Sequence, residues 1–261
     1  MKLSKSLYTR AIQCQKSLWL KKHNKDVLTP PNAAAQAIFE NGNEVGDLAC
    51  KLFPNGVEIP YLNTTFQDKI NLTQEYINQG TQNIYEATFE FDGILIMIDI
   101  LNIKDNSVII NEVKSSTQVK DIYLHDASIQ YYVLNGLGYD VKKVNIIHIN
   151  NEYVRDEELD INQLFSIVDV TYEVKELQAN IKNNLEIFRK TLAKEDEPTI
   201  DIGTHCNEPY ECDAKNYCWS HIPNYSIFDI SRLKSQKKFE LYKNGILEFS
   251  QIKDINSFSI S

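Results

Sequence analysis

Residues 94–114 read ILIMIDILNIKDNSVIINEVK. The Ile- and Val-rich runs on either side of its polar middle predict two β-strands. Asp99 interrupts the first run, on the face it shares with Leu95, Met97 and Leu101. In the second, Glu112 and Lys114 stand two apart, so the alternation of a strand puts both on one side of the sheet. If the strands pair, two carboxylates and an ammonium converge on one patch. Asp99 and Glu112, with the backbone carbonyl of Val113, suit a hard divalent cation, Mg²⁺ or Mn²⁺. Such a cation lowers the pKa of a bound water and neutralises charge on a scissile phosphate. Lys114 would position the water or stabilise charge on the phosphate oxygens. The competing reading of the same letters is a surface Glu/Lys pair plus an Asp near a turn.

Working outward, NIYEATFEF (83–91) and the strand from Ile94 flank Asp92-Gly93, a strong signal for a two-residue hairpin turn. A helix is expected over about 119–137, ending at Gly138, with Gln130 and Tyr131 between Ala127 and Leu134 on its buried face. A polar residue there needs a partner. KKVNIIHIN (142–150) predicts a further strand and residues 169–195 a long helix. Upstream, Ser4 is expected to cap a helix running to Lys22, with Leu7, Ala11, Cys14 and Leu18 facing inward. Pro30 and Pro31 break the chain. Helices then follow over 33–52, with Ala37, Val45, Leu48 and Ala49 inward, and over 65–79. Downstream lie a cysteine-rich stretch (203–221) and a basic helix (229–244). The order predicts an α/β fold, a mixed sheet flanked by helices with a helical, cysteine-bearing cap.

The composition, 43% hydrophobic and 24% charged, is that of a globular protein. No apolar run approaches the roughly 20 residues of a membrane helix. The opening MKLSKSLYTRAIQ lacks the apolar core and cleavage site of a signal peptide, so a cytoplasmic protein with no membrane partner is expected. The net charge of −9 argues against a generic nucleic-acid coat. Its distribution is uneven: residues 1–25 hold seven Lys/Arg and no acid, and Arg232, Lys234, Lys237 and Lys238 form a second basic run. Such patches either track a phosphate backbone or are solvated helix faces.

Cys206, Cys212 and Cys218 are spaced C-x5-C-x5-C, with Cys14 far upstream and Cys50 left over. In a reducing compartment, clustered cysteines read as metal ligands. Four thiolates suit zinc or an iron–sulfur cluster, and the absence of short C-x2-4-C knuckles favours the cluster. Cys50 reads as a small hydrophobe. His205 adjoins Cys206, but a fourth thiolate from Cys14 is the simpler choice. The group so held would be a clasp between the two ends of the chain.

Together these residues resemble the RecB-type branch of the PD-(D/E)xK nucleases, above all the CRISPR-associated iron–sulfur exonucleases. The resemblance spans about residues 3–221 and leaves 222–261 as a short basic extension. LSKSLYTRAIQCQKSLWL is similar to the family's opening helix with its lone cluster cysteine, here Cys14. MIDIL resembles the strand bearing the metal-binding Asp, NEVKSS the E-x-K strand, SIQYYVLNGLG the Gln–Tyr helix, and HCNEPYECDAKNYCW the closing cysteines. The resemblance implies a restriction-endonuclease-like core, a [4Fe-4S] cluster on Cys14, Cys206, Cys212 and Cys218, and cutting of DNA from single-stranded ends. Proteins of CRISPR adaptation or DNA repair are the implied partners. The chain is similar also to the front half of larger bacterial proteins with a second domain. The sequence departs from the family at three places. The thiol spacing is wider than the common C-x2-C-x5-C. Leu134 stands four residues after Gln130, so Tyr131 or Tyr132 must serve as the tyrosine. Gly46 stands where the family has a metal-binding His, and Glu44 and Asp47 flank it as substitute ligands. If they do not substitute, the resemblance implies a DNA-binding or complex-forming subunit without the chemistry.

Overall fold

The computed structural model describes residues 2–104 and 107–252. Its elements run β1 (Leu3–Ser4), α1 (Lys5–Gln13), α2 (Gln15–His23), α3 (Ala33–Cys50), β2 (Val57–Glu58), α4 (Phe66–Asn78), β3 (Asn83–Phe91), β4 (Ile94–Lys104) and β5 (Ser107–Lys114). There follow α5 (Asp121–Gly136), β6 (Asp140–Ile149), α6 (Ile161–Leu164), β7 (Phe165–Asp169), α7 (Thr171–Leu192), α8 (Lys215–Cys218) and α9 (Ser235–Lys243). The chain divides into two compact units. The first takes residues up to Thr9 and Pro31–Lys190; the second takes Arg10–Pro30 and the chain from Thr191 onward. This differs from the boundary expected at residue 221: the segment around Cys14 and the closing cysteines belong to one unit, the sheet to the other. Residues 253–261 of the expected extension lie outside the described residues.

The first unit is a seven-stranded mixed sheet in the order β2-β3-β4-β5-β6-β7, with β1 also paired to β4. β3 and β4 form the expected hairpin, and its turn residues Asp92 and Gly93 both have positive φ, 49° and 69°, as a turn matched to strand twist requires. β5 and β6 are parallel, joined by the α5 crossover. β4 is the centre, and Ile94, Ile96, Ile98, Ile100 and Leu101 are almost wholly buried. On one face, Ile100, Ile147 and Phe165 pack with Ala49, Val45 and Leu48 of α3. The other face carries α5, and α7 lies against α5 through Gln178 Nε2, which donates to the Ser128 carbonyl at 3.1 Å. α4 covers part of β3: its Thr73 hydroxyl accepts from the Thr88 N–H at 2.9 Å. Its start is fixed by a capping box between Thr65 and Asp68.

Three expectations need correction, and four short elements were not foreseen. The helix expected from Ser4 to Lys22 is two helices, because Cys14 between them is extended (φ −161°, ψ 117°). No Gly or Pro announces this break; Cys14 N–H still donates to the Arg10 carbonyl at 2.9 Å. Ala37, expected to face inward, is exposed along with most of the first half of α3, where Ile38 and Phe39 are also exposed. The helix expected to reach residue 52 stops at Cys50. The two-residue strands β1 and β2, and β7 with its short lead-in helix α6, carry too few residues to show a period.

The second unit has two small apolar clusters. Trp19, Leu20 and Ala214 form one, with Cys212 and Cys218 against it. Ile202, Cys206 and Phe239 form the other, with Trp219 and Phe228. The Arg10 guanidinium joins the unit's two chain segments, donating to both Asp213 oxygens at 2.7 and 2.8 Å, a bidentate pair.

Candidate functional site

The polar patch forms where β4 and β5 part. Their ladder runs from Lys104 opposite Ser107 to Ile100 opposite Asn111. Beyond that point β1 takes the edge of β4, with Leu3 and Ser4 opposite Ile94 and Leu95. In the gap the Asp99 carboxylate accepts from the Val113 N–H at 2.7 Å, satisfying a backbone donor that the ladder no longer serves. β3 is irregular at the same level: Tyr85 pairs with Ile100 and Ala87 with Ile98, while Glu86 between them has a φ of 56°, rare for a side chain of its size.

Val113 and Ile147 face α3, so Glu112 and Lys114, one residue out of phase, face α5. There Lys114 Nζ donates to Glu112 Oε1 and to Asp126 Oδ2, both at 2.6 Å. Gln130 Nε2 donates to Glu112 Oε2, also at 2.6 Å. Lys5, the first residue of α1, donates to both Glu112 oxygens at 3.0 Å and lies 3.9 Å from one oxygen each of Asp99 and Asp126. Three carboxylates and two ammoniums thus share one locus, and Glu112 is only 1% exposed.

The charges show in the acidities. Burial would raise the Glu112 carboxyl, but Lys114 and Lys5 hold it well below the usual carboxylate range. Asp99 goes the other way: burial, then repulsion from Glu112, pushes it up to about 7 despite both lysines. Burial and Glu112 raise Asp126 as well. Burial would depress both lysines, but the surrounding carboxylates raise them. At neutral pH Glu112 is the fixed anion and Asp99 the group that gains or loses a proton.

Of the residues singled out in the sequence, the structure brings together Asp99, Glu112, Val113 through its backbone, Lys114 and Gln130. Tyr131 is half-buried on α5 and its neighbour Tyr132 reaches Asp92 instead, at 3.0 Å. Glu44 and Asp47 are exposed on α3. Gly46 has open space where a side chain would stand. Lys5 and Asp126 were missed. Asp126 had a signal, standing four residues before Gln130 on one helix face; Lys5 had none, being 107 residues from its partner. Among the described residues no three His, Cys, Asp or Glu side chains are gathered closely enough to hold a metal ion. The patch has the donor chemistry for a hard cation all the same. Its three carboxylates lie within 3.9 Å of the Lys5 ammonium, and the buried Gln130 Oε1 beside them has no hydrogen-bond partner.

In the second unit Cys14, Cys206, Cys212 and Cys218 line one cavity of about 10 Å³, with Lys16, Ser17 and His205. That volume holds about one water. Hydrogen bonds to the Cys14 and Cys206 sulfurs push His205 up to about 10. Burial would raise both of those thiols, but His205 brings them below their ordinary value. Burial raises Cys212, and pushes Cys218 up to about 11. The Trp219 indole N–H, buried among these residues, is directed at the Cys206 sulfur and adds to the lowering of that thiol. A soft, anionic sulfur group is what such a set of donors suits. Cys50 stands apart with Ala49 and Tyr85, and burial pushes its thiol up to about 12, as befits an inert hydrophobe.

No family model matches the chain, and no curated protein matches it. A solved structure described as "Crystal structure of SSO0001" is similar over 85% of each chain, at 11% identity and a TM-score of 0.37. A likeness of that size carries no argument. Among the described residues no helix is long and apolar enough to cross a membrane.

Proposed function

We propose that the protein is a divalent-metal-dependent deoxyribonuclease with a restriction-endonuclease-like core of the PD-(D/E)xK kind, acting on single-stranded ends, with a four-iron cluster held by Cys14, Cys206, Cys212 and Cys218. The observation that carries this reading is the meeting of Asp99, Glu112 and Lys114 where β4 and β5 part, with the Gln130 amide on Glu112. A bound divalent cation would supply an activated water and neutralise charge on the scissile phosphate. Asp99 and Glu112 would hold it. Gln130, donating through Nε2, fixes the rotamer of Glu112 and keeps Oε1 free to accept a proton donor. Lys114 places a positive charge where negative charge builds up on the phosphate oxygens. Asp126, bonded to the same ammonium, keeps Lys114 charged and aimed.

For the cysteine cavity, four thiols at one place are the ligand set of such a cluster. A single tetrahedral ion needs its sulfurs drawn to about 2.3 Å from one centre, whereas a cubane spreads them over a wider cage. The four thiols line one cavity, and since the space between them holds about one water, such a cluster would be seated only with the sulfurs moved apart.

A second reading, a DNA-binding or complex-forming subunit without the chemistry, draws on Gly46 and on the exposure of Glu44 and Asp47. End-labelled single-stranded DNA, incubated with anaerobically purified protein and Mn²⁺, separates the two. Shortening of the label by the wild type, and none by Lys114→Met, supports the nuclease. DNA binding without cutting by the wild type supports the second reading.

A further inference from the structure

Lys5 is placed with unusual economy. It follows directly on β1, whose pairing with Ile94 and Leu95 of β4 fixes its backbone beside the gap between β4 and β5. From there its ammonium reaches both oxygens of Glu112 at 3.0 Å and stands 3.9 Å from Asp99 and from Asp126. Lys114 bonds Glu112 and Asp126 and also acts on Asp99, but among the described ion pairs Lys5 is the cation within 4 Å of all three carboxylates. The Lys5 nitrogen thus lies between the Glu112 oxygens and one oxygen each of Asp99 and Asp126. The adjoining Gln130 Oε1, buried and unpartnered, is a second sign that the locus has another occupant, because an acceptor there is satisfied by a cation's water and not by the present contacts.

We propose that in the metal-free protein the Lys5 ammonium is a resident counter-cation at the divalent-metal locus, and that it must leave for the metal to bind. This rests on the reading of the patch as a metal site. The charges demand the exclusion. Three carboxylates against Lys5 and Lys114 leave one net negative charge. Adding a dication while Lys5 stays would turn a buried anionic site cationic and set two cations in contact. The exchange is mechanically easy. A lysine is a point charge on a flexible stem of four carbons, and the Lys5 side chain is 21% exposed, so it can swing to water while its backbone stays in place. The resident ammonium is a second counter-charge beside Lys114 on the buried Glu112 when metal is scarce, and it sets the metal concentration at which the site loads.

Titration calorimetry with Mn²⁺ alone, on wild type, Lys5→Gln, Lys5→Arg and Lys2→Gln, tests this. Lys5→Gln should bind Mn²⁺ at least about tenfold tighter than wild type. Lys5→Arg, which keeps the charge, should stay close to wild type. Lys2→Gln, which removes an exposed cation paired to Glu90, should change nothing. Equal or weaker binding by Lys5→Gln, with the wild type binding normally, overturns the exchange and leaves the metal site standing. Failure of all four proteins to bind Mn²⁺ removes the metal site and the exchange with it. Should Lys5→Gln fold poorly, the wild type alone decides. Adding Mg²⁺ should shift the NMR signal of the Lys5 ε-methylene, identified by its absence from Lys5→Arg. An unmoved signal at saturating Mg²⁺ overturns the proposal.

Discussion

At the gap between β4 and β5, the buried Glu112 meets donors from Lys5, Lys114 and Gln130, and every charge there has a protein partner. Around the cysteine cavity the balance is reversed. His205 and Lys16 line a pocket of thiols with no carboxylate but Asp201, and His205 and the Trp219 N–H both turn toward sulfur. The first centre is electrostatically closed on itself and can hold its shape before any ligand arrives. The second is a set of donors waiting for electron-rich sulfur. Each therefore fails in its own way when a residue is removed: the first by stranding a charge, the second by losing whatever the thiols hold.

The largest effect is expected at the cysteine cavity. Structural metal binding is worth on the order of 10 kcal/mol in small domains, so Cys14→Ala should lose iron and become protease-sensitive in the second unit, while Cys50→Ala keeps wild-type metal content. Elemental analysis and limited proteolysis check this, with stoichiometric zinc in the wild type ruling out the cluster but not the shared site. Next is Glu112→Ala, which takes from Lys5 its nearest carboxylate and leaves Lys114 with Asp126 alone. Breaking a buried pair from one side costs about 3–5 kcal/mol, so this variant should unfold earlier in urea as well as lose cleavage. Glu112→Gln should separate the two, losing cleavage with a smaller loss of stability.

Asp99 gives the third. Its carboxyl, near 3.8 in an unfolded chain, sits at about 7 in the fold. Between those values the folded protein holds a proton that the unfolded chain has released, so stability falls as pH rises through that window. Glu112 works oppositely: its pKa is depressed from 4.5, and the stability it brings is lost as pH falls below that value. Metal-free Asp99→Asn should therefore show a flatter stability profile from pH 4 to 7, and at pH 8 exceed the wild type by at most about 4 kcal/mol. Denaturant melts across that range decide it; an unchanged slope would count against the raised Asp99 pKa. The smallest effect is expected for Trp219→Phe in metal-free protein. Only one weak N–H to sulfur contact with Cys206 is lost and packing against Phe228 and Phe239 survives, so stability should move by about 1 kcal/mol or less.

How far these centres were legible follows from the reach of each signal. Period-two alternation put Glu112 and Lys114 on one face, and the hairpin turn placed β4 beside β3. The mid-strand Asp99 marked the gap without revealing it. The four cysteines were readable because thiols are few and their spacing survives translation into space. Lys5 was not, since its partners lie in distant strands and a two-residue strand places it. The break at Cys14 was equally silent: nothing local ends that helix, and the extended Cys14 makes sense only beside His205, to which its sulfur is hydrogen-bonded. The exposed first half of α3 misled because Ala, Ile and Phe at helical spacing read as a core face whether or not anything covers them.

The account turns on a divalent cation at the point between Glu112 and Asp99. An anomalous-difference map from crystals soaked in Mn²⁺ tests that most directly. The expected result is a single strong peak within about 2.2 Å of oxygens of both carboxylates, an estimate for a hard cation of Mn²⁺ size, with Lys5 withdrawn from Glu112. A map with no peak there, and Lys5 still on both Glu112 oxygens at saturating Mn²⁺, would contradict it.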